Sequence, residues 1–210
     1  SRIERDGIYD RLGVKFDVTL GESFYNDALP GVVEGIREAG IAEDSDGAVV
    51  IRYGTDTGVK GLKKTTLVIQ KADGAALYST TDLATLEYRV ATWDPERIIY
   101  VTGGPQQLHF KQVFYGWKQW RKARGQDTTR PDLVHTWFGM LKINGVVPSS
   151  REGNVIRLSD LLDESYRRAR AVVDDASGHL PEEQRDAIAK AVGVACLLYT
   201  SPSPRDGTKS

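Results

Sequence analysis

The chain has 210 residues, with 28 Lys+Arg against 29 Asp+Glu, three His and one Cys, for a formal net charge of −1. That balance excludes nucleic-acid binding through bulk charge, and a single cysteine excludes an internal disulfide or a multi-thiolate zinc site. No apolar run approaches the roughly 20 residues of a membrane span, there is no signal-peptide pattern, and the composition is that of a folded cytosolic α/β chain.

Residues 3–12 read as a short helix stopped by Gly13. Val14, Phe16 and Val18 then alternate with polar residues as a half-buried strand would. Pro30 suits the first turn of a helix whose inner face is Val32, Val33 and Ile36, with Gly40 as its stop. Residues 48–53 and 65–70 are β-branched and aromatic runs, predicted as strands around a loop at 54–64 that holds three glycines and three lysines. Asp73-Gly74 is a tight-turn signal that predicts a hairpin of residues 67–70 with 76–79. A helix is expected from Asp82, with Leu83, Leu86 and Val90 inward.

Arg97-Ile98-Ile99-Tyr100-Val101 reads as a fully buried parallel strand. Phe110, Val113, Phe114 and Trp117 recur at helical spacing, and residues 132–138 form another strand. Ser159 is expected to cap a helix that is acidic early and basic late, and Pro181 opens a last helix through Val194. Helices alternating with apolar strands after residue 81 imply a parallel sheet, whereas residues 1–80 look like a partly antiparallel insertion.

Open α/β sheets bind ligands beyond the carboxyl ends of their strands. Three segments lie there: Tyr78-Ser79-Thr80-Thr81-Asp82, Gly103 to His109, and Phe138-Gly139-Met140. No P-loop, dinucleotide fingerprint, nucleophile elbow or metal-ligand spacing accompanies them. Glu22 and Asp82 both sit beside small or hydroxyl residues, and two carboxylates with Tyr78 alongside could satisfy the planar donor fork of a guanidinium. A helix N-cap or first-turn charge for Asp82 and a solvated loop acid at Glu22 are the structural alternatives.

Read in order, Gly21-Glu22-Ser23-Phe24-Tyr25, Ile69-Gln70-Lys71-Ala72-Asp73-Gly74, Tyr78-Ser79-Thr80-Thr81-Asp82, Gln106-Gln107-Leu108-His109, Phe138-Gly139-Met140, Ser150-Arg151-Glu152-Gly153-Asn154 and Leu158-Ser159-Asp160-Leu161-Leu162-Asp163-Glu164 resemble arginyl-tRNA synthetase. The resemblance runs from Ile8 to Ala195. It implies a class I (HUP-type) aminoacyl-tRNA synthetase that activates L-arginine with ATP and Mg2+ and passes it to tRNA(Arg), with no tightly bound metal, no membrane and a monomeric, cytoplasmic parent. Carried over by position, Glu22, Tyr78, Asp82 and Gln106 would contact arginine. His109, Phe138, Gly139, Met140 and Gly153 would serve the ATP site, with Ser149, Ser150 and Arg151 in the loop that closes over the phosphates.

That loop departs from the family pattern. Val147 or Ser149 before Arg151, and Glu152 after it, stand where lysines are expected, which leaves Arg151 as its cation and keeps a non-catalytic, arginine-binding synthetase-like protein as the alternative. No His-x-Gly-His sequence occurs in the chain. By resemblance, therefore, residues 1–80 are the end of an insertion and 81–176 the second half of a Rossmann-like catalytic domain. Residues 177–195 begin the helical region that leads to an anticodon-binding domain. The alone-standing chain is expected to be inactive. Residues 196–210 resemble translated sequencing adapter, a non-native tail in which disorder is expected.

Overall fold

A computed structural model describes residues 2–139 and 157–200. In chain order the elements are helix α1 (Arg2–Leu12), helix α2 (Leu29–Glu38), strands β1 (Glu43–Ser45), β2 (Ala48–Arg52) and β3 (Thr66–Gln70), helix α3 (Tyr78–Trp93), strand β4 (Arg97–Gly103), helix α4 (Gln107–Ala123), strand β5 (Asp132–Phe138), and helices α5 (Leu158–Ala176) and α6 (Glu182–Thr200). They divide into two compact units, residues 20–139 and residues 1–19 with 140–210.

The 20–139 unit holds both sheets. Strands β1, β2 and β3 are antiparallel neighbours in that order. The link from β1 to β2 is Asp46-Gly47, with φ of 51° and 80°. Paired positive φ values are the signature of a two-residue hairpin turn, and Asp-Gly is a favoured sequence for it. The Asp46-Gly47 pair is therefore the sequence signal for β1, a strand absent from the expected elements.

After β3 the structure corrects two expectations. Asp73-Gly74 does reverse the chain, but residues 76–79 contribute only one bridge, Gln70 with Ala76, and not a strand. Helix α3 begins at Tyr78, four residues before Asp82. The cause is hydroxyl chemistry: Ser79 Oγ donates to the Val68 carbonyl, and Thr80 Oγ1 donates to the Ile69 carbonyl. Thr80 Oγ1 also accepts the Leu77 N–H at 3.3 Å, closing one side of a capping arrangement. These bonds pin the first helical turn to β3. Asp94 ends the helix in the left-handed region, just before Pro95.

Strands β4 and β5 pair in parallel from Arg97↔Asp132 to Gly103↔Phe138. β4 is not buried on both faces, which overturns that expectation. Ile98 and Tyr100 turn inward, while Ile99 and Val101 are 56% and 60% exposed. Helices pack on one face only within this unit, so the second apolar face of β4 is left open. Ile36, Leu83, Leu86, Val113 and Trp117 are wholly buried in one core that α2, α3 and α4 build against the strands.

The other unit is helical where described. α5 and α6 form a tight pair: a Cβ on Gly193 would lie 3.0 Å from the Tyr166 backbone nitrogen, so any larger residue there would have to push the α5 backbone away. Arg11 Nη1 of α1 donates to Asp163 Oδ1 of α5 at 2.7 Å. Val14, Phe16 and Val18 form no strand. Alternation needs a partner strand, this unit's described residues offer only helices, and Phe16 instead packs edge-on to Tyr9 at 4.7 Å. Arg157 is the N-cap of α5, which puts Ser159 inside the first turn. α6 runs past Val194 to Thr200, so residues 196–200, expected in a disordered tail, are helical.

Candidate functional site

One face of α3 points at a small cavity. Tyr78, Thr81, Asp82, Thr85 and Arg89 follow the three-and-four spacing of a single helical face, and all five line it. Opposite them stand Leu20, Glu22 and Tyr25, from the segment that winds through a short 3-10 turn (Glu22–Ala28), and Tyr100 from β4. The cavity measures about 180 Å³. At roughly 30 Å³ of liquid volume per water, that is the space of one amino-acid side chain.

Its charge is set by two carboxylates, Glu22 and Asp82, against one guanidinium, Arg89. Arg89 lies over the Tyr100 ring at 4.9 Å from its centroid. The cavity therefore retains negative charge and favours a cation. Asp82 is held by a second group: His109 Nε2 donates to Asp82 Oδ2 at 2.6 Å. Because His109 opens α4 and Asp82 sits in the second turn of α3, this bond joins the two helices at the cavity's edge. It also removes the helix-cap alternative for Asp82, since the N-cap of α3 is Leu77.

Tyr100 supplies the floor. It is only 8% exposed, and its hydroxyl has no hydrogen-bond partner among the described residues. Burial pushes the phenol well above its usual range, with the nearby Asp82 and Tyr25 adding to the shift and Arg89 opposing it. The hydroxyl is thus neutral, and free to accept from a ligand N–H. Tyr100→Phe removes an unsatisfied group, so we expect stability within about 0.5 kcal/mol of wild type, by thermal denaturation. The same substitution should weaken binding of a guanidinium ligand by about 0.5–1.5 kcal/mol, roughly 2- to 12-fold by titration calorimetry.

Behind His109 the aromatic contacts continue. The Phe110 ring packs at 5.2 Å from His109 and 4.7 Å from His135, and His135 Nε2 lies 2.8 Å from Thr102 Oγ1. Burial first, and then the proximity of His109, hold His135 below the usual imidazole range.

Of the residues singled out from sequence, Glu22, Tyr78 and Asp82 line one cavity, and His109 is bonded to it through Asp82. Gln106 is exposed at the N-cap of α4 and does not line that cavity. It sits at the carboxyl end of β4, beside the end of β5 where Phe138 and Gly139 lie: Gly103 pairs with Phe138, and the Phe138 carbonyl approaches Gly104. Met140, Ser149, Ser150, Arg151 and Gly153 lie outside the described residues. Sequence reading missed Tyr25, Thr85, Arg89 and Tyr100 as cavity residues. Arg89, seven positions after Asp82, was findable from helical period alone. Tyr100 was not, because only the packing of β4 against α3 brings it there.

Among the described residues no group of three or more His, Cys, Asp or Glu could hold a metal ion. No described helix is long and apolar enough to cross a membrane.

The family model described as tRNA synthetases class I (R), catalytic domain, matches residues 1–205. A protein named arginine–tRNA ligase from Chloroflexus aggregans is 41% identical over 193 residues, covering 91% of this chain and 31% of that protein. One of the same name from Fusobacterium nucleatum is 39% identical over 200 residues, covering 95% and 33%. The chain thus spans about a third of the length of the curated relatives it matches. Among solved structures, arginyl-tRNA synthetase from Plasmodium falciparum superposes with a TM-score of 0.74 at 24% identity, over 95% of this chain and 31% of that one. The Thermus thermophilus arginyl-tRNA synthetase gives 0.72 at 16%, over 92% and 37%. At those identities the two structures speak for the fold.

Proposed function

The chain belongs to the catalytic-domain family of the class I tRNA synthetases for arginine, and on that premise we propose that it is the part of an arginine–tRNA ligase that holds the amino acid. The ligase would join L-arginine to ATP as arginyl-adenylate, releasing pyrophosphate, and then transfer the arginyl group to tRNA(Arg). The observation that carries this reading is the side-chain-sized, negatively charged cavity on α3.

In this reading Glu22 and Asp82 receive the guanidinium, with Tyr78 and Tyr100 offering hydroxyls to its remaining N–H groups. His109 orients Asp82, so its part is positioning. Gln106, at the end of β4, faces the amino-acid end of the substrate. The backbone of Phe138, Gly139 and Met140 would read the adenine edge. Ser149, Ser150, Arg151 and Gly153 would close on the phosphates, whose charge Mg2+ bound to ATP partly neutralises. The parent enzyme is read as monomeric and cytoplasmic. One sequence observation favours a second reading, arginine binding without catalysis: Arg151 is the lone cation from Val147 to Asn154.

Titration calorimetry of the chain with L-arginine, L-citrulline and L-lysine tests the cavity. We expect arginine to bind and the other two to bind at least about tenfold more weakly. Citrulline loses the charge, and lysine loses the planar fork. Equal affinity for all three, or none for arginine at millimolar concentration, would overturn the reading. ATP–pyrophosphate exchange is not expected from these 210 residues alone, which contain no His-x-Gly-His sequence.

A further inference from the structure

The α3 residues that line the cavity run from Tyr78 to Arg89, eleven positions or about 16 Å along the helix axis. That row is longer than any amino-acid side chain, so its two ends meet different parts of a ligand. Asp82 is bonded to His109, beyond the carboxyl end of β4, whereas Arg89 lies over Tyr100, midway along β4. The row therefore leads from the carboxyl edge of the parallel sheet inward to Arg89. Tyr78, at the outer end, is 71% exposed, and Gln106 stands at the same edge. A ligand enters there, and Arg89 is what its leading atoms meet last.

Arg37, Arg52, Arg97 and Arg124 in this unit are each paired with a carboxylate. Arg89 shares its cavity with two, Glu22 and Asp82, yet has no ion pair among the described residues. Its guanidinium is held on the face of the buried Tyr100 ring instead, 4.9 Å from the centroid. A guanidinium stays charged at any pH a protein survives. The cavity thus carries negative charge along its length and a fixed positive charge at its inner end.

We propose that Arg89 is the end stop of this cavity: a like charge that limits how deep a ligand guanidinium can go, and so selects the side-chain length of arginine over longer guanidinium amino acids. This rests on the reading of the cavity as the arginine site. At Glu22 and Asp82 an entering guanidinium is drawn by both carboxylates. One methylene further in, it leaves them behind and approaches Arg89, and repulsion between unit charges grows as their separation falls. The penalty is felt most by the longer ligand, which is what makes Arg89 a specificity residue and not only a counter-charge. Pocket size by itself separates ligands that differ by one methylene only about 10- to 200-fold.

The test is titration calorimetry of the chain with L-arginine and with L-homoarginine, which is one methylene longer. We expect homoarginine to bind the unsubstituted chain at least about 30-fold more weakly. Arg89→Gln removes the charge, so both ligands should bind more tightly, homoarginine more so, and the ratio should fall at least about fivefold. Arg89→Met, which keeps an unbranched stem against Tyr100, should act likewise. Arg89→Lys keeps a cation at the inner end and should hold the ratio within about threefold of the unsubstituted chain. A role confined to packing would move stability and leave the ratio where it was. An unchanged ratio in both neutral variants would overturn the proposal. So would an equal fall in Arg89→Lys, or equal affinity of the unsubstituted chain for the two ligands. Failure of the unsubstituted chain to bind arginine would overturn the reading of the cavity and this proposal with it, whereas arginine binding with an unmoved ratio overturns this proposal alone.

Discussion

Asp82→Asn should nearly eliminate arginine binding while leaving the fold in place. The amide keeps an oxygen for the His109 N–H that now lies 2.6 Å from Asp82 Oδ2, so the helix-to-helix contact survives in form. What disappears is the negative charge. Losing one partner of a hydrogen-bonded charge pair costs about 2–5 kcal/mol, and the partial exposure of Asp82 argues for the lower half of that range. A loss of about 2–3.5 kcal/mol is roughly 30- to 300-fold in affinity by calorimetry. Asp82→Ala should lose at least as much affinity and also some stability, because His109 is left without its acceptor. Arginine affinity within threefold of wild type in Asp82→Asn would mean that Asp82 serves only to join α3 to α4.

Trp117→Ala should bring the 20–139 unit close to unfolding. Trp117 is 0% exposed, and its indole Nε1 donates to Glu87 Oε1 at 2.7 Å. Arg121 lies over its ring at 4.9 Å, and Glu87 Oε2 also pairs with Arg124 Nη1 at 2.8 Å. Truncation removes the largest wholly buried side chain and takes a donor from a part-buried carboxylate. Truncating a buried tryptophan to alanine costs about 3–5 kcal/mol, against a typical total stability of about 5–15 kcal/mol. Urea denaturation should show the midpoint falling accordingly. Trp117→Phe, which keeps most of the volume and loses the indole bond, should cost about 1–3 kcal/mol. A cost below 1 kcal/mol for Trp117→Ala would contradict its place at the centre of the core. Helix α3 carries one wall of the cavity, with Glu87 and Arg89 two residues apart on it, so the Phe variant should also weaken arginine binding slightly.

Much of the fold was legible because its long elements have strong periods. The apolar face of α4 and the inner residues of α2 follow directly from spacing, and the parallel pairing of β4 with β5 follows from the alternation of elements. The errors have physical causes. Val14, Phe16 and Val18 alternate correctly but have no strand to pair with. Ser79 reads as a strand residue and is helical, because its hydroxyl and that of Thr80 find carbonyls on β3. β4 is apolar throughout, and composition cannot tell a strand covered twice from one covered once.

The candidate site divides the same way. By itself the sequence determined the chemistry on offer, with Glu22, Tyr78 and Asp82 as the groups suited to a guanidinium, since residue type and local spacing carry that information. Only the tertiary structure decided that Tyr100 closes the cavity floor with a hydroxyl that has no partner among the described residues, that Arg89 moderates its charge, and that His109 fixes Asp82. Those residues come from separate elements, and no local pattern encodes a distance that packing alone creates.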